Sequence, residues 1–150
     1  MTTRPRGLRL PEDLASEIER ERRFRGNPSF SRLVTSLLTE AIRMRRVPGI
    51  VFVDGLDTRR AAIAGTGLEV WEIIATYRAV GEDTEELERS YPQLSRSQLR
   101  AALAYYELYP EEIDARLARE ESWSPEEVWS QYPFTRPRTT GGGESPAESA

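Results

Sequence analysis

The sequence predicts a mainly α-helical chain with short β elements, made of a basic N-terminal unit, an acidic helical domain and an extended C-terminal arm. Three observations lead there. Apolar residues recur at i, i+3, i+4 and i+7 through most of the chain, whereas strand-like patterns are confined to Leu8-Arg9-Leu10, Ile50 to Val53 and Arg59 to Ala64. Glycine and proline cut the helical pattern at Gly26-Asn27-Pro28, Val47-Pro48-Gly49, Pro92 and Pro110. Charge is distributed unevenly under a net value of −4: residues 1–46 hold 11 arginines against 6 acids, and residues 47–121 hold 8 against 15. A basic unit on an acidic body is the distribution of a nucleic-acid-binding part joined to a protein-binding part.

The N-terminal unit spans residues 4–46. Leu8 and Leu10 alternate with Gly7 and Arg9, so a short strand turns two leucines inward and Arg9 outward. Leu14, Ala15 and Ile18 give the first helix one apolar side. Phe30, Leu33, Val34, Leu37, Leu38, Ala41 and Ile42 form a stripe along the second, which must be buried somewhere. Some forty residues rarely bury enough surface to be stable alone. A second copy of the chain is the expected remedy.

The order strand, helix, turn, helix, with Leu8-Arg9-Leu10-Pro11-Glu12-Asp13-Leu14 entering the first helix and Asn27-Pro28-Ser29-Phe30-Ser31-Arg32-Leu33 entering the second, resembles the ribbon-helix-helix family typified by Arc, MetJ and CopG. The resemblance implies a dimer with swapped, antiparallel strands lying in the major groove of operator DNA. Carried onto this sequence, it makes Arg9 the base reader, with Gly7 beside it and Arg6 and Arg4 leading in. The start of the second helix then holds a backbone phosphate: Ser29 is the expected N-cap, and Ser31 and Arg32 add donors.

The second domain is expected over 49–121. Ile50 to Val53 and Arg59 to Ala64 make a hairpin around the turn chemistry of Asp54-Gly55-Leu56-Asp57-Thr58. Val70, Ile73, Ile74 and Tyr77 mark a helix closed near Gly81, and Leu87 and Tyr91 mark a shorter one starting at Asp83 or Thr84. Ser95 opens a third, with Leu99, Ala102, Leu103 and Tyr106 inward, and Ile113 and Leu117 anchor a fourth. Short helices joined by Pro92-Gln93-Leu94 beside a hairpin have the order of a winged helix-turn-helix. The run from Ile63-Ala64-Gly65-Thr66 through Val70-Trp71-Glu72-Ile73-Ile74 and Tyr91-Pro92-Gln93-Leu94 to Arg100-Ala101-Ala102-Leu103-Ala104-Tyr105 resembles the bacterial family called domain of unknown function 433. That resemblance implies an antitoxin encoded beside a toxin of PIN-like nuclease fold. Gly67, Glu69 and the stretch from Asp57 to Ala61 depart from the family's pattern, in the wing rather than in the helical core. Should the third helix touch DNA, Arg96, Gln98 and Arg100 at its start reach base edges; the net −7 of the segment favours a protein contact instead.

An arm over 122–140 follows, and the Gly, Ser, Glu and Pro content of 141–150 predicts a disordered tail. Ser124-Pro125-Glu126-Glu127 is a capping box with proline at the first helical position, so a short helix through Val128 and Trp129 is expected. Trp123, Trp129, Tyr132 and Phe134 with Arg136 and Arg138 are the residue types that anchor protein interfaces. They are the expected toxin-binding residues, with Arg136 or Arg138 entering a carboxylate cluster; folding back on their own domain is the alternative.

Composition excludes most enzymology. The chain has no cysteine and no histidine, and all 21 basic residues are arginine. Thiolate or imidazole metal sites, cysteine nucleophiles, histidine bases, Schiff-base lysines and Walker-type lysines are therefore all missing. Neither an enzyme nor a cofactor or metal is expected, and with no signal peptide or membrane span in the pattern the expected location is cytoplasmic. The function these readings reach is an antitoxin of a type II toxin-antitoxin system. It represses its own operon by binding double-stranded operator DNA and neutralises a co-encoded PIN-like ribonuclease; a stand-alone ribbon-helix-helix regulator without a toxin is the alternative.

Overall fold

Six helices and one two-stranded antiparallel sheet make up the regular structure of residues 4–55, 58–122 and 130, the residues described by the computed structural model. Helices α1 (Glu12–Phe24) and α2 (Phe30–Arg46) form the N-terminal unit. α1 ends because Gly26 and Asn27 both take positive φ, and the Asn27 N–H returns 2.9 Å to the Arg22 carbonyl, which closes the helix end with a backbone bond. α2 starts at Ser29, whose hydroxyl accepts from the Arg32 N–H at 3.2 Å.

The body begins where α2 stops. Gly49, at φ +97°, turns the chain into β1 (Ile50–Asp54), which pairs with β2 (Arg59–Ile63) in the register Ile50 opposite Ile63. Four helices follow: α3 (Val70–Ala79), α4 (Thr84–Ser90), α5 (Arg96–Leu108) and α6 (Pro110–Glu121). Local chemistry fixes each start. Asp83 accepts from the Glu85 and Glu86 N–H groups ahead of α4, a reciprocal Ser95–Gln98 box opens α5, and Pro110 occupies the first position of α6. Ile63, Val70, Ile73, Ile74, Leu87, Ala102 and Tyr105 are almost or completely buried together and form the centre of the core.

The inward face of α5 differs from the sequence expectation. Leu99 and Ala102 are buried as predicted, but they are joined by Ala101 and Tyr105, while Leu103 and Tyr106 stay half-buried. α5 packs on the hairpin as well as on α3 and α6, so its buried arc is wider than one helical stripe. Tyr105 takes the hairpin side, with ring centroids 6.3 Å from Phe52 and 5.0 Å from Tyr109. Tyr106 lies at the rim, donating to Asp114 at 2.7 Å.

The N-terminal unit is packed quite differently. Ile18 and Leu33 are its only buried hydrophobic residues among those described, and residues 4–11 form neither helix nor strand. A strand at Leu8–Leu10 requires a neighbouring strand to bond to, and among the described residues β1 and β2 pair only with each other. On the α2 stripe Phe30, Leu38 and Ile42 are exposed, and Val34 and Leu37 are half-buried. No helix among the described residues is long and apolar enough to cross a membrane.

Candidate nucleic-acid interface

The first turn of α2 is equipped for an anion. Free N–H groups and the helix dipole make a helix start electropositive, and this one carries no acid in its first turn. Ser29 holds the cap, Ser31 and Arg32 are exposed beside it, and Arg32 has no ion-pair partner among the described residues. Arg6, Gly7 and Arg9 are exposed in the segment that leads into α1. A side chain added at Gly7 meets no atom within 4 Å, so crowding inside one copy does not explain a glycine there.

Arg32 also lines a cleft of about 380 Å³ between the α1–α2 turn and the hairpin, together with Arg25, Arg59 and Asp54. The other two arginines are already engaged. Arg25 lies 2.8 Å and Arg59 3.0 Å from one oxygen of Asp54, and Arg59 further binds Glu40 at 2.7 Å and the Phe52 carbonyl at 3.0 Å. Hydrogen bonds from Arg25 first, and then Arg59, hold the Asp54 carboxyl below its ordinary pKa. Of the three guanidiniums in this cleft, Arg32 is the one left for an external anion.

The arginines of α5 lie elsewhere, on a separate small cleft against α4. Arg96 sits 3.2 Å from Glu88. Gln98, expected among the reading residues, instead accepts the Ser95 N–H at 2.8 Å and so closes its own helix start. Arg100 is exposed and has no ion-pair partner among the described residues. Trp123, Trp129, Tyr132, Phe134, Arg136 and Arg138 lie outside the described residues, as does the short helix expected at 125–129.

Sequence reasoning missed a second face of α2. Glu40, Arg43 and Val47 follow Leu33 and Ser36 at helical spacing and point toward the body rather than along the apolar stripe. Arg43 donates to the Tyr105 hydroxyl at 2.9 Å, pairs with Glu112, and stacks 4.3 Å from the centroid of the Tyr109 ring. Burial opposes the Arg43 charge, yet Tyr105 and Glu112 outweigh it and its pKa rises. Burial, helped by the nearby Glu112 charge, pushes the Tyr105 phenol well above its ordinary range. The available signal was Glu40, the one acid in a basic helix, placed three residues before Arg43 and seven before Val47.

Residues 55–106 match the family model described as "Protein of unknown function (DUF433)". The chain is also 30% identical to a DUF433 member protein from Anabaena variabilis ATCC 29413, over 73% of this chain and 99% of that one. It belongs to the DUF433 family. The crystal structure of the Anabaena protein aligns with a TM-score of 0.41. No curated protein matches the chain. The DUF433 match starts at the hairpin turn and ends within α5, so it includes Arg96 and Arg100 and excludes Arg9 and Arg32.

Proposed function

We propose that this DUF433 protein is an antitoxin: a dimeric ribbon-helix-helix unit that binds its operator, joined to a body and arm that neutralise a co-encoded PIN-like ribonuclease. One observation carries the DNA-binding half. Seven of the eight exposed large hydrophobic side chains of the described chain belong to the basic N-terminal unit: Leu8, Leu14, Phe24, Phe30, Leu38, Ile42 and Met44. Covering such a side chain is worth about 1.5–3 kcal/mol when burial is complete. A second copy brings the same stripe, and it supplies the strand that Leu8–Leu10 lacks.

In that dimer Arg9 reads base edges with Gly7 and Arg6 beside it, and Ser29, Ser31 and Arg32 grip a phosphate at the start of α2. The α4–α5 pair has the order of a winged helix-turn-helix, but Arg96 is held by Glu88 and the segment is strongly acidic, which favours a protein contact for Arg96 and Arg100. Trp123, Trp129, Tyr132, Phe134, Arg136 and Arg138 are assigned to the toxin. This half of the reading draws on the resemblance of the body to antitoxins encoded beside PIN-like toxins.

The two halves are tested separately. The full chain purified from its native host is expected to bring down a PIN-like nuclease encoded in the adjoining reading frame; recovery of the chain without one overturns the antitoxin assignment. In binding titrations on its own promoter, Arg9→Ala is expected to erase sequence preference. Arg32→Ala should weaken binding to all sequences alike and lower the slope of log affinity against log salt by about one. Undiminished preference in the Arg9 variant removes that residue from base reading.

A further inference from the structure

The cleft of about 380 Å³ between the α1–α2 turn and the hairpin takes its polar lining from both units. Arg25 is the C-cap of α1, Arg32 and Ser36 lie in the first two turns of α2, Asp54 ends β1, and Arg59 opens β2 opposite it. A guanidinium carries five N–H donors. Among the described residues Arg25 uses its donors on Glu21 and Asp54, Arg59 on Glu40, Asp54 and the Phe52 carbonyl, and the Arg32 guanidinium on none. All three therefore keep donors that no described residue accepts.

One carboxylate oxygen stands between two of these cations. Asp54 Oδ1 lies 2.8 Å from Arg25 and 3.0 Å from Arg59, on a side chain that is 66% exposed. Ion pairs that open to water are weak, so this contact can be exchanged for a stronger acceptor. A phosphate is such an acceptor: it brings more oxygens and more charge than a carboxylate, and it fits the planar guanidinium fork. The cleft has the volume of a small-ligand site, with room for that group beside Asp54. We propose that the cleft is a phosphate site shared by the N-terminal unit and the body, in which Asp54 occupies Arg25 and Arg59 until a phosphate takes them over together with Arg32. Asp54 is then the gate of the site: with its carboxylate in place only Arg32 answers a phosphate, and with it displaced three arginines do. The same chemistry has two sources. For a phosphate of the DNA backbone the proposal rests on the DNA-binding reading above; for a free phosphate it does not.

The test uses the full chain and two probes: inorganic phosphate, followed through the amide shifts of Arg32, Ser36 and Thr58, and a duplex of its own promoter. Asp54→Ala is expected to tighten at least one of them about tenfold. On DNA the slope of log affinity against log salt should also steepen by about two, one for each arginine released. Glu21→Gln takes a carboxylate from the same Arg25 outside the cleft and should change either affinity less than about twofold. A gain confined to DNA assigns the site to the backbone. A gain confined to inorganic phosphate, in a protein that does not bind the duplex, keeps the site and removes the DNA-binding reading. No gain with either probe overturns the proposal, as does a gain that Glu21→Gln equals, since general charge then explains it. An equal gain for acetate overturns it too, because the site then takes carboxylates. A further variant leaves the tie between Arg25, Asp54 and Arg59 in place: Ser36→Glu puts a second carboxylate in the cleft and should weaken phosphate binding about tenfold. Undiminished binding in that variant places the phosphate elsewhere and overturns the proposal.

Discussion

Residues 47–121 hold fifteen of the seventeen buried hydrophobic residues of the described chain, and residues 4–46 hold two. The same comparison reversed gives the exposed side: seven large apolar side chains in the shorter N-terminal unit, against Leu108 alone in the body. The body therefore satisfies its apolar surface internally, with helices on several sides of α5. Two helices and a coil cannot enclose their own stripe, and the basic charge of the N-terminal unit is displayed on the element least able to stand alone. The difference separates a region that buries its large apolar side chains within the described chain from one that leaves seven of them exposed.

The strongest test of this contrast is a pair of core lesions, one in each region. Tyr105→Ala removes a fully buried ring between Phe52 and Tyr109 and is expected to cost about 3–5 kcal/mol in urea unfolding, read from the body's tryptophan signal. By contrast, Leu38→Glu with Ile42→Glu should leave the body's midpoint within about 0.5 kcal/mol, because both sites are exposed in a single copy. Under the proposed dimer, the parent is expected to sediment as a dimer and the double variant as a monomer. A dimer that survives both charges removes α2 from the interface.

A smaller effect is expected where the two regions meet. Arg43→Met keeps the stem over Tyr109 but leaves the Tyr105 hydroxyl and Glu112 without their cation, which should cost about 1–3 kcal/mol. Replacing Tyr105 by Phe in the same background shows whether the pair is coupled, since the second change should then cost less than it does alone. Additive effects would mean that Arg43 acts through Tyr109 and Glu112 instead.

The smallest effects are those of pH, and they differ at the two ends. Asp54 has a lowered folded-state pKa, so its contribution is present above the ordinary carboxylate value of about 3.9 and fades as pH falls through the folded value. Acid should therefore loosen the Arg25–Asp54–Arg59 tie between α1 and the hairpin, and Asp54→Asn should flatten that part of the acid limb. Tyr105 has a raised pKa, so the neutral phenol favours the fold below about pH 10 and its contribution is lost as pH rises above that value. Alkaline unfolding should thus start in the body, and Tyr105→Phe should delay it; an identical alkaline limb in that variant would place the titrating group elsewhere.

The local signals were legible because each rests on a few neighbouring residues. Ser29, Asp83 and Ser95 announce helix starts through hydrogen bonds that depend on two or three positions, and each marks a helix start in the structure. The phase of α5 was less legible, because Tyr105 rather than Tyr106 faces inward only once the hairpin packs on that side. Gln98 shows a related ambiguity: the same residue type reads a base or caps a helix, and in the structure it makes a reciprocal capping pair with Ser95.

By itself, the sequence determined the alternation of helices and the hairpin, the mainly helical class, the basic and acidic halves, and the absence of histidine, cysteine and lysine chemistry. These follow from periodicity, capping and composition, which act over a turn of helix or need no structure. The tertiary structure decided which arginines are spoken for. Arg25, Arg43, Arg59 and Arg96 are held by carboxylates that are, for Arg25 and Arg43, 29 and 69 residues away in the chain. Arg32 and Arg100 have no such partner among the described residues. Composition counts charges, but an ion pair depends on distance in space, and only the packing of α1, α2 and α6 around the hairpin and α5 sets those distances.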